Sequence, residues 1–130
     1  MVYFFINLGI HLLISGALLF VILRFVSNNQ KRRNKRGISY LLPAILTVIF
    51  LYQAVTVSAP RLLDSVYVIK SNYETIVGKV EKVEYLNHAL VIDGESYYYN
   101  PFILKPQAGD RLQISYTPYA KYVAVLVPVQ

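Results

Sequence analysis

Two long apolar runs, separated by a short basic stretch, constrain this chain more than any other feature. In residues 2–26 the polar breaks are Asn7, His11, Ser15 and a terminal Arg24, and the run matches the roughly 20 apolar residues needed to cross a bilayer core. Residues 38–59 carry no charge, and Pro43 is expected in the first turn of their helix, where a missing N–H does least harm. The intervening residues 27–37 are too polar to enter lipid and too few to fold alone. The expectation is an antiparallel transmembrane hairpin over residues 1–59, with spans at about 2–26 and 38–59.

Charge fixes its direction. The chain has 13 Lys+Arg against 7 Asp+Glu, a net +6. Residues 1–59 hold six basic side chains and no acid, while residues 60–130 hold seven of each sign, so the whole excess lies in the hairpin. Five of the six, Lys31, Arg32, Arg33, Lys35 and Arg36, occupy the connecting loop. Basic residues near span ends accumulate on the cytoplasmic side, so both termini are expected outside the cytoplasmic membrane. The same loop can meet anionic lipid head groups. A nucleic-acid role is not expected, because no aromatic residues interleave with these charges.

Residues 31–36, the second apolar run and Val57-Ser58-Ala59 imitate the three regions of a secretory signal. Pro60 directly after the small-residue site opposes cleavage, and another span precedes the basic segment, so the second run is read as a retained anchor.

Beyond Pro60 the pattern changes twice. Leu62, Val66, Ile69 and Tyr73 recur at three to four residues, which predicts a connecting helix over residues 60–73. Residues 75–83 read as a strand, alternating from Val77 to Val83, with Gly78 as a candidate bulge or bend. Residues 88–92 and 95–99 flank Asp93-Gly94, a strong short-range hairpin signal. Residues 111–117 alternate again, and residues 122–127 form an almost continuous β run closed by Pro128. Five short strands over residues 74–130 point to a small all-β domain of OB or SH3-like type. Its fifth strand is apolar on both faces, so packing on the preceding helix or on another chain is expected.

Catalysis finds little to use. Outside the spans the one histidine is His88, and Asp93 and Glu95 flank a turn where acids are common for conformational reasons. Without cysteine there is no thiolate nucleophile, disulfide or Cys-based metal site. No His-x-x-x-His or multi-acid loop suits a metal, and Gly94 and Gly109 are isolated, so no loop cradles phosphate. No catalytic residue, metal or cofactor is expected.

Two groups of residues are candidates for binding. Asn7, His11 and Ser15 are spaced by four and share a helical face. Antiparallel pairing puts His11 near the depth of Gln53 and Thr56, where an interhelical hydrogen bond worth roughly 0.6 to 2 kcal/mol is expected. The alternative is that His11 titrates or lines a path. The second group is aromatic: nine of 12 tyrosines follow Pro60, among them Tyr97, Tyr98, Tyr99 and Tyr119. Alternation in a strand places Tyr98 opposite Tyr97 and Tyr99, so one face cannot bury all three. Tyrosines left exposed on a charge-balanced domain suit a protein or glycan surface.

Gly78-Lys79-Val80, the segment from Asp93 to Tyr97 and the segment from Gly109 to Pro118 resemble a loose family of bacterial membrane proteins classed as a domain of unknown function. That family pairs transmembrane helices with a small extracytoplasmic β domain whose late strand ends in Tyr-x-Pro, here Tyr116-Thr117-Pro118. It commonly continues with Asn-Pro, where this chain has Tyr119-Ala120-Lys121. A more distant similarity is to the OB-like domains of NfeD-type membrane proteins, which implies a scaffold or protease-partner role. Both imply architecture and no catalytic residues. The expected function is a non-enzymatic two-span membrane protein presenting a β module outside the membrane. It would act as an accessory subunit for another membrane or extracytoplasmic protein, in a homo- or hetero-oligomer; the alternative is an immunity factor that intercepts a toxin at the outer leaflet.

The loop charges generate a topology test in a chain without cysteine. In intact cells an impermeant maleimide should label Gln107→Cys and leave Asn34→Cys unlabelled. The opposite pattern would invert the orientation.

Overall fold

The protein is described from a computed structural model covering residues 1–33 and 35–130; Asn34, the inner labelling position, lies outside the described residues. The chain divides into two compact units, Ile6–Pro60 and Met1–Phe5 with Arg61–Gln130.

The first unit is built from two helical rods. Helix α1 runs from Val2 to Gln30 without interruption, four residues further than its apolar run, and its first turn belongs to the other unit. Helix α2 spans Ile38–Gln53, a π turn follows at Ala54–Ser58, and helix α3 occupies Ala59–Lys70, of which Arg61 onward belongs to the other unit. Both rods are long and apolar enough to cross a membrane, and only 11% and 6% of their most apolar windows are enclosed by protein. The core helix of a soluble domain would show the reverse balance.

Two prolines shape the second rod. Pro43 is the sixth residue of α2, not a first-turn residue as the sequence suggested, because the helix starts at Ile38. Its missing N–H would have bonded the carbonyl of Ser39. That carbonyl instead accepts from Asn29 Nδ2 of α1 at 3.0 Å. Pro60 likewise provides no N–H for the carbonyl of Thr56, and its ring crowds that carbonyl. The π turn lies immediately upstream, where the N–H of Ala59 bonds the carbonyl of Ala54, five residues back. A wider turn absorbs the crowding that a regular α-helix would carry into Pro60.

In the second unit five strands follow α3: β1 Glu74–Glu84, β2 Ala89–Ile92, β3 Glu95–Tyr99, β4 Arg111–Tyr116 and β5 Tyr122–Pro128. Their order is β1-β2-β3-β5-β4, and β4 pairs again with β1, so every strand has two hydrogen-bonded neighbours, with β3 and β5 meeting over two residue pairs, Tyr98 with Tyr122 and Tyr99 with Val123. All pairings are antiparallel except β3 with β5. The β2–β3 hairpin turns at Asp93-Gly94, both with positive φ (51° and 75°), the conformation that makes this dipeptide a hairpin signal. The irregularity in β1 falls between Val80 and Lys82 instead of at Gly78. Gly78 has a different reason to lack a side chain: a Cβ there would lie 2.3 Å from Ile92 Cγ2.

The core follows from alternation. Val80, Val83, Leu90, Ile92, Leu112, Ile114 and Val123 meet inside, with the rings of Tyr97 and Tyr99 among them. Burying each aliphatic side chain contributes about 1.5–3 kcal/mol. Outside the sheet, the ring of Tyr122 is covered by the first turn of α1: Phe4 packs against it at 5.2 Å and Tyr3 stacks at 6.5 Å.

Helix α3 is tied to the strands by a charged residue. Asp64 is wholly buried, and its carboxylate accepts from the backbone N–H of Tyr119, at 3.1 Å, and of Ala120. A loop between antiparallel strands has donors with no ladder partner, and the carboxylate supplies the acceptor. Inside the same loop Thr117 Oγ1 accepts from the N–H of Tyr122 at 2.9 Å.

Asp64→Ala should therefore leave two part-buried donors without their acceptor and lower stability by about 1–3 kcal/mol. Asp64→Asn, which retains one acceptor oxygen, should fall between. Thermal unfolding of the full chain in detergent, followed by the near-UV signal of the packed tyrosines, measures both; an unchanged midpoint for Asp64→Ala would remove this tie from the account.

Candidate functional site

Among the described residues of the helical hairpin, side-chain polarity converges on Gln53, the last residue before the π turn. Its Oε1 accepts from Ser15 Oγ at 3.0 Å and from Ser58 Oγ at 3.1 Å, and the two hydroxyls lie 3.0 Å apart. Its Nε2 points the other way, 3.4 Å from His11 Nδ1 and 3.5 Å from the His11 carbonyl. The contact from the Gln53 amide to Nδ1 is a hydrogen bond in the tautomer whose Nδ1 carries no proton. His11 and Ser15 thus both meet Gln53. Asn7 is half-buried one turn earlier on the same helix. Thr56 does not join them; its hydroxyl donates to the carbonyl of Tyr52 at 2.7 Å, on the exposed side.

Ser58 is the member that sequence reasoning missed. On a regular α-helix, residues five apart are about 140° apart around the axis, so Gln53 and Ser58 would diverge. The π turn, hydrogen-bonded from i to i+5, brings them close to one face. The signal lay in Pro60, whose effect on the preceding turn was not read. The resulting cluster holds two hydroxyls, an amide and an imidazole, and contains no carboxylate. It can fasten helices and accept or donate hydrogen bonds. Among the described residues no group of three or more His, Cys, Asp or Glu side chains is placed to hold a metal ion.

In the β unit the four candidate tyrosines separate. Tyr97 and Tyr99 point into the core and are almost fully enclosed, so neither offers a surface to a partner. Tyr98 points the other way, as alternation requires, but is half-buried. Its ring lies tilted against Tyr122 at 5.0 Å and under the guanidinium of Arg61, 4.6 Å from the ring centre. Burial raises its phenol above the ordinary tyrosine range, and the nearby Arg61 opposes part of that rise. Burial also raises Tyr97, whose hydroxyl donates to Glu95 Oε2 at 3.2 Å. Glu95 in turn is held below the usual carboxylate range, first by its hydrogen bond from Lys121 and then by that from Tyr97.

Tyr119 is the exposed one, at 54%. It stands on the loop fixed by Asp64, and its ring meets that of Tyr67 edge-on at 6.0 Å. With Tyr73, Asn72, Glu74 and Pro118 the pair borders a cleft of about 380 Å³. The basic residues Lys31, Arg32, Arg33, Lys35 and Arg36 are all exposed.

No known protein family, characterised protein or solved structure matches this chain. The cluster itself makes a graded prediction. Gln53→Leu removes the shared partner of three side chains and should weaken hairpin association by about 1–2 kcal/mol. Ser15→Ala should cost less, because Ser58 still bonds Gln53. Reversible unfolding in mixed micelles, read by a distance label across the two rods, measures the difference; equal effects would show that Gln53 is not the hub.

Proposed function

We propose that this chain is a non-enzymatic two-span membrane protein that presents its β unit outside the cytoplasmic membrane as an accessory subunit for another envelope protein. In this reading the basic loop stays inside, both termini lie outside, and the closed five-stranded sheet is a small barrel of the OB type. OB barrels bind through the face of strands 2 and 3 and through the loops after strands 1 and 4. Here the loop after β4 is the one that carries Tyr119.

The observation that carries the proposal is the manner in which Tyr119 is held. An exposed tyrosine on a mobile loop would lose conformational freedom on binding; on a loop whose backbone N–H groups already bond a buried carboxylate, that loss is small. Large amphipathic rings presented rigidly, beside a cleft and on a charge-balanced domain, are typical of protein contact surfaces. Balanced charge also argues against a nucleic-acid partner, which would need a positive field.

Affinity capture from native membranes tests it. Tyr119→Ala should fold normally and weaken the partner contact by about 2 kcal/mol or more, the size of an aromatic hot spot. Tyr97→Ala, which opens the core, should instead lower stability by about 3–5 kcal/mol. If Tyr119→Ala melts like the wild type and recovers every partner at wild-type affinity, the loop is not the contact surface.

A further inference from the structure

Phe102 and Ile103 are adjacent, 83% and 76% exposed, and lie in the connection between β3 and β4. Nothing about their loop is loose. The buried Asn100 accepts from the N–H of Phe102 through Oδ1 at 3.0 Å, and its carbonyl accepts from the N–H groups of Ile103 and Leu104 at 3.3 and 2.9 Å. Leu104 then packs against the core. The loop is thus a fixed bracket that holds two large apolar side chains outward, and water is the wrong surrounding for both.

The bracket has a definite position. The ring of Phe102 stands edge-on to Tyr3, with centroids 6.3 Å apart. Tyr3 belongs to the first turn of α1, the end of an apolar helix long enough to cross a bilayer. Tyrosine at a span end is the residue that settles at the lipid head-group level, and the exposed Val2 beside it is apolar. Residues 96–109 carry no acidic side chain, so anionic head groups would not repel this loop.

We infer that Phe102 and Ile103 form an interfacial anchor, inserted at the boundary between head groups and acyl chains of the membrane that α1 crosses. The occupant of this apolar surface is lipid, and the anchor sets the β unit against the membrane instead of leaving it on a free tether. The inference requires α1 to span and does not depend on a protein partner.

Because the chain has no tryptophan, single substitutions report position directly. Phe102→Trp and Ile103→Trp, each in the full chain in phosphatidylcholine vesicles, are compared with Ser96→Trp on the exposed side of β3 and with Leu13→Trp in the middle of α1. Both loop reporters should emit to the blue of Ser96→Trp, resist acrylamide, and lose emission when the acyl chains carry bromine near the head group. Blue emission without bromine quenching would mean packing on protein and would overturn the anchor, as would acrylamide quenching equal to that of Ser96→Trp. Quenching of Leu13→Trp by deep bromine together with silent loop reporters would overturn the anchor alone. A Leu13→Trp that bromine does not reach would overturn the spanning helix and the anchor with it.

Discussion

A polar group that water cannot reach is costly without a partner inside the protein, and that constraint organises much of this chain, the buried Tyr98 hydroxyl being the exception among the described residues. Helices satisfy the backbone of the two rods by construction. The exceptions are forced by proline, and each is answered locally. At Pro43 the freed Ser39 carbonyl is taken by Asn29 from the facing helix. At Pro60 the helix widens into a π turn, and the widening gathers Gln53 and Ser58 with Ser15 and His11. A backbone defect and a side-chain cluster are therefore one feature, and the cluster fixes the depth at which the two rods meet.

The same constraint acts in the β unit through Asp64. A carboxylate buried on a helix would be costly without partners; here two loop N–H groups provide them. The bond does two things at once, since it docks α3 on the strands and stiffens the loop that displays Tyr119. The strand order gives each strand two neighbours and so shortens the exposed edges through which a small sheet would aggregate. Apolar exposure in the unit includes the Phe102–Ile103 bracket, beside the end of a helix built for lipid.

Much of this was legible in the sequence because it rests on local patterns. Apolar run length gave the helices, period-two alternation the strands, and Asp93-Gly94 its hairpin, since each of those signals is the direct imprint of a backbone geometry. Antiparallel pairing from the basic loop named Gln53 and Thr56 as partners at the depth of His11; Gln53 lies within reach of it and Thr56 bonds its own helix. Three features were not legible. Ser58 needed the π turn, which depends on how a helix relaxes next to proline. Asp64 carries no local signal, because its partners are 55 and 56 residues away. Gly78 reads as a bulge, whereas its role is set by the close approach of Ile92 across the sheet. The triple tyrosine was half legible: alternation separated Tyr98 from its neighbours, but the cover supplied by Arg61 and Tyr122 is tertiary.

The pairing of His11 with Gln53 tests the central claim most directly, because it joins the two rods at the point where the π turn acts. The chain has two histidines, so nitrogen spectra of the protein in bilayers by solid-state NMR can be assigned with one substitution at His88. The account predicts a neutral His11 ring whose Nδ1 bears no proton and shows a through-space contact to the Gln53 side-chain amide, lost in Gln53→Leu. A protonated Nδ1, or an Nδ1 with no contact to Gln53, would contradict the proposed pairing and the helix register that follows from it.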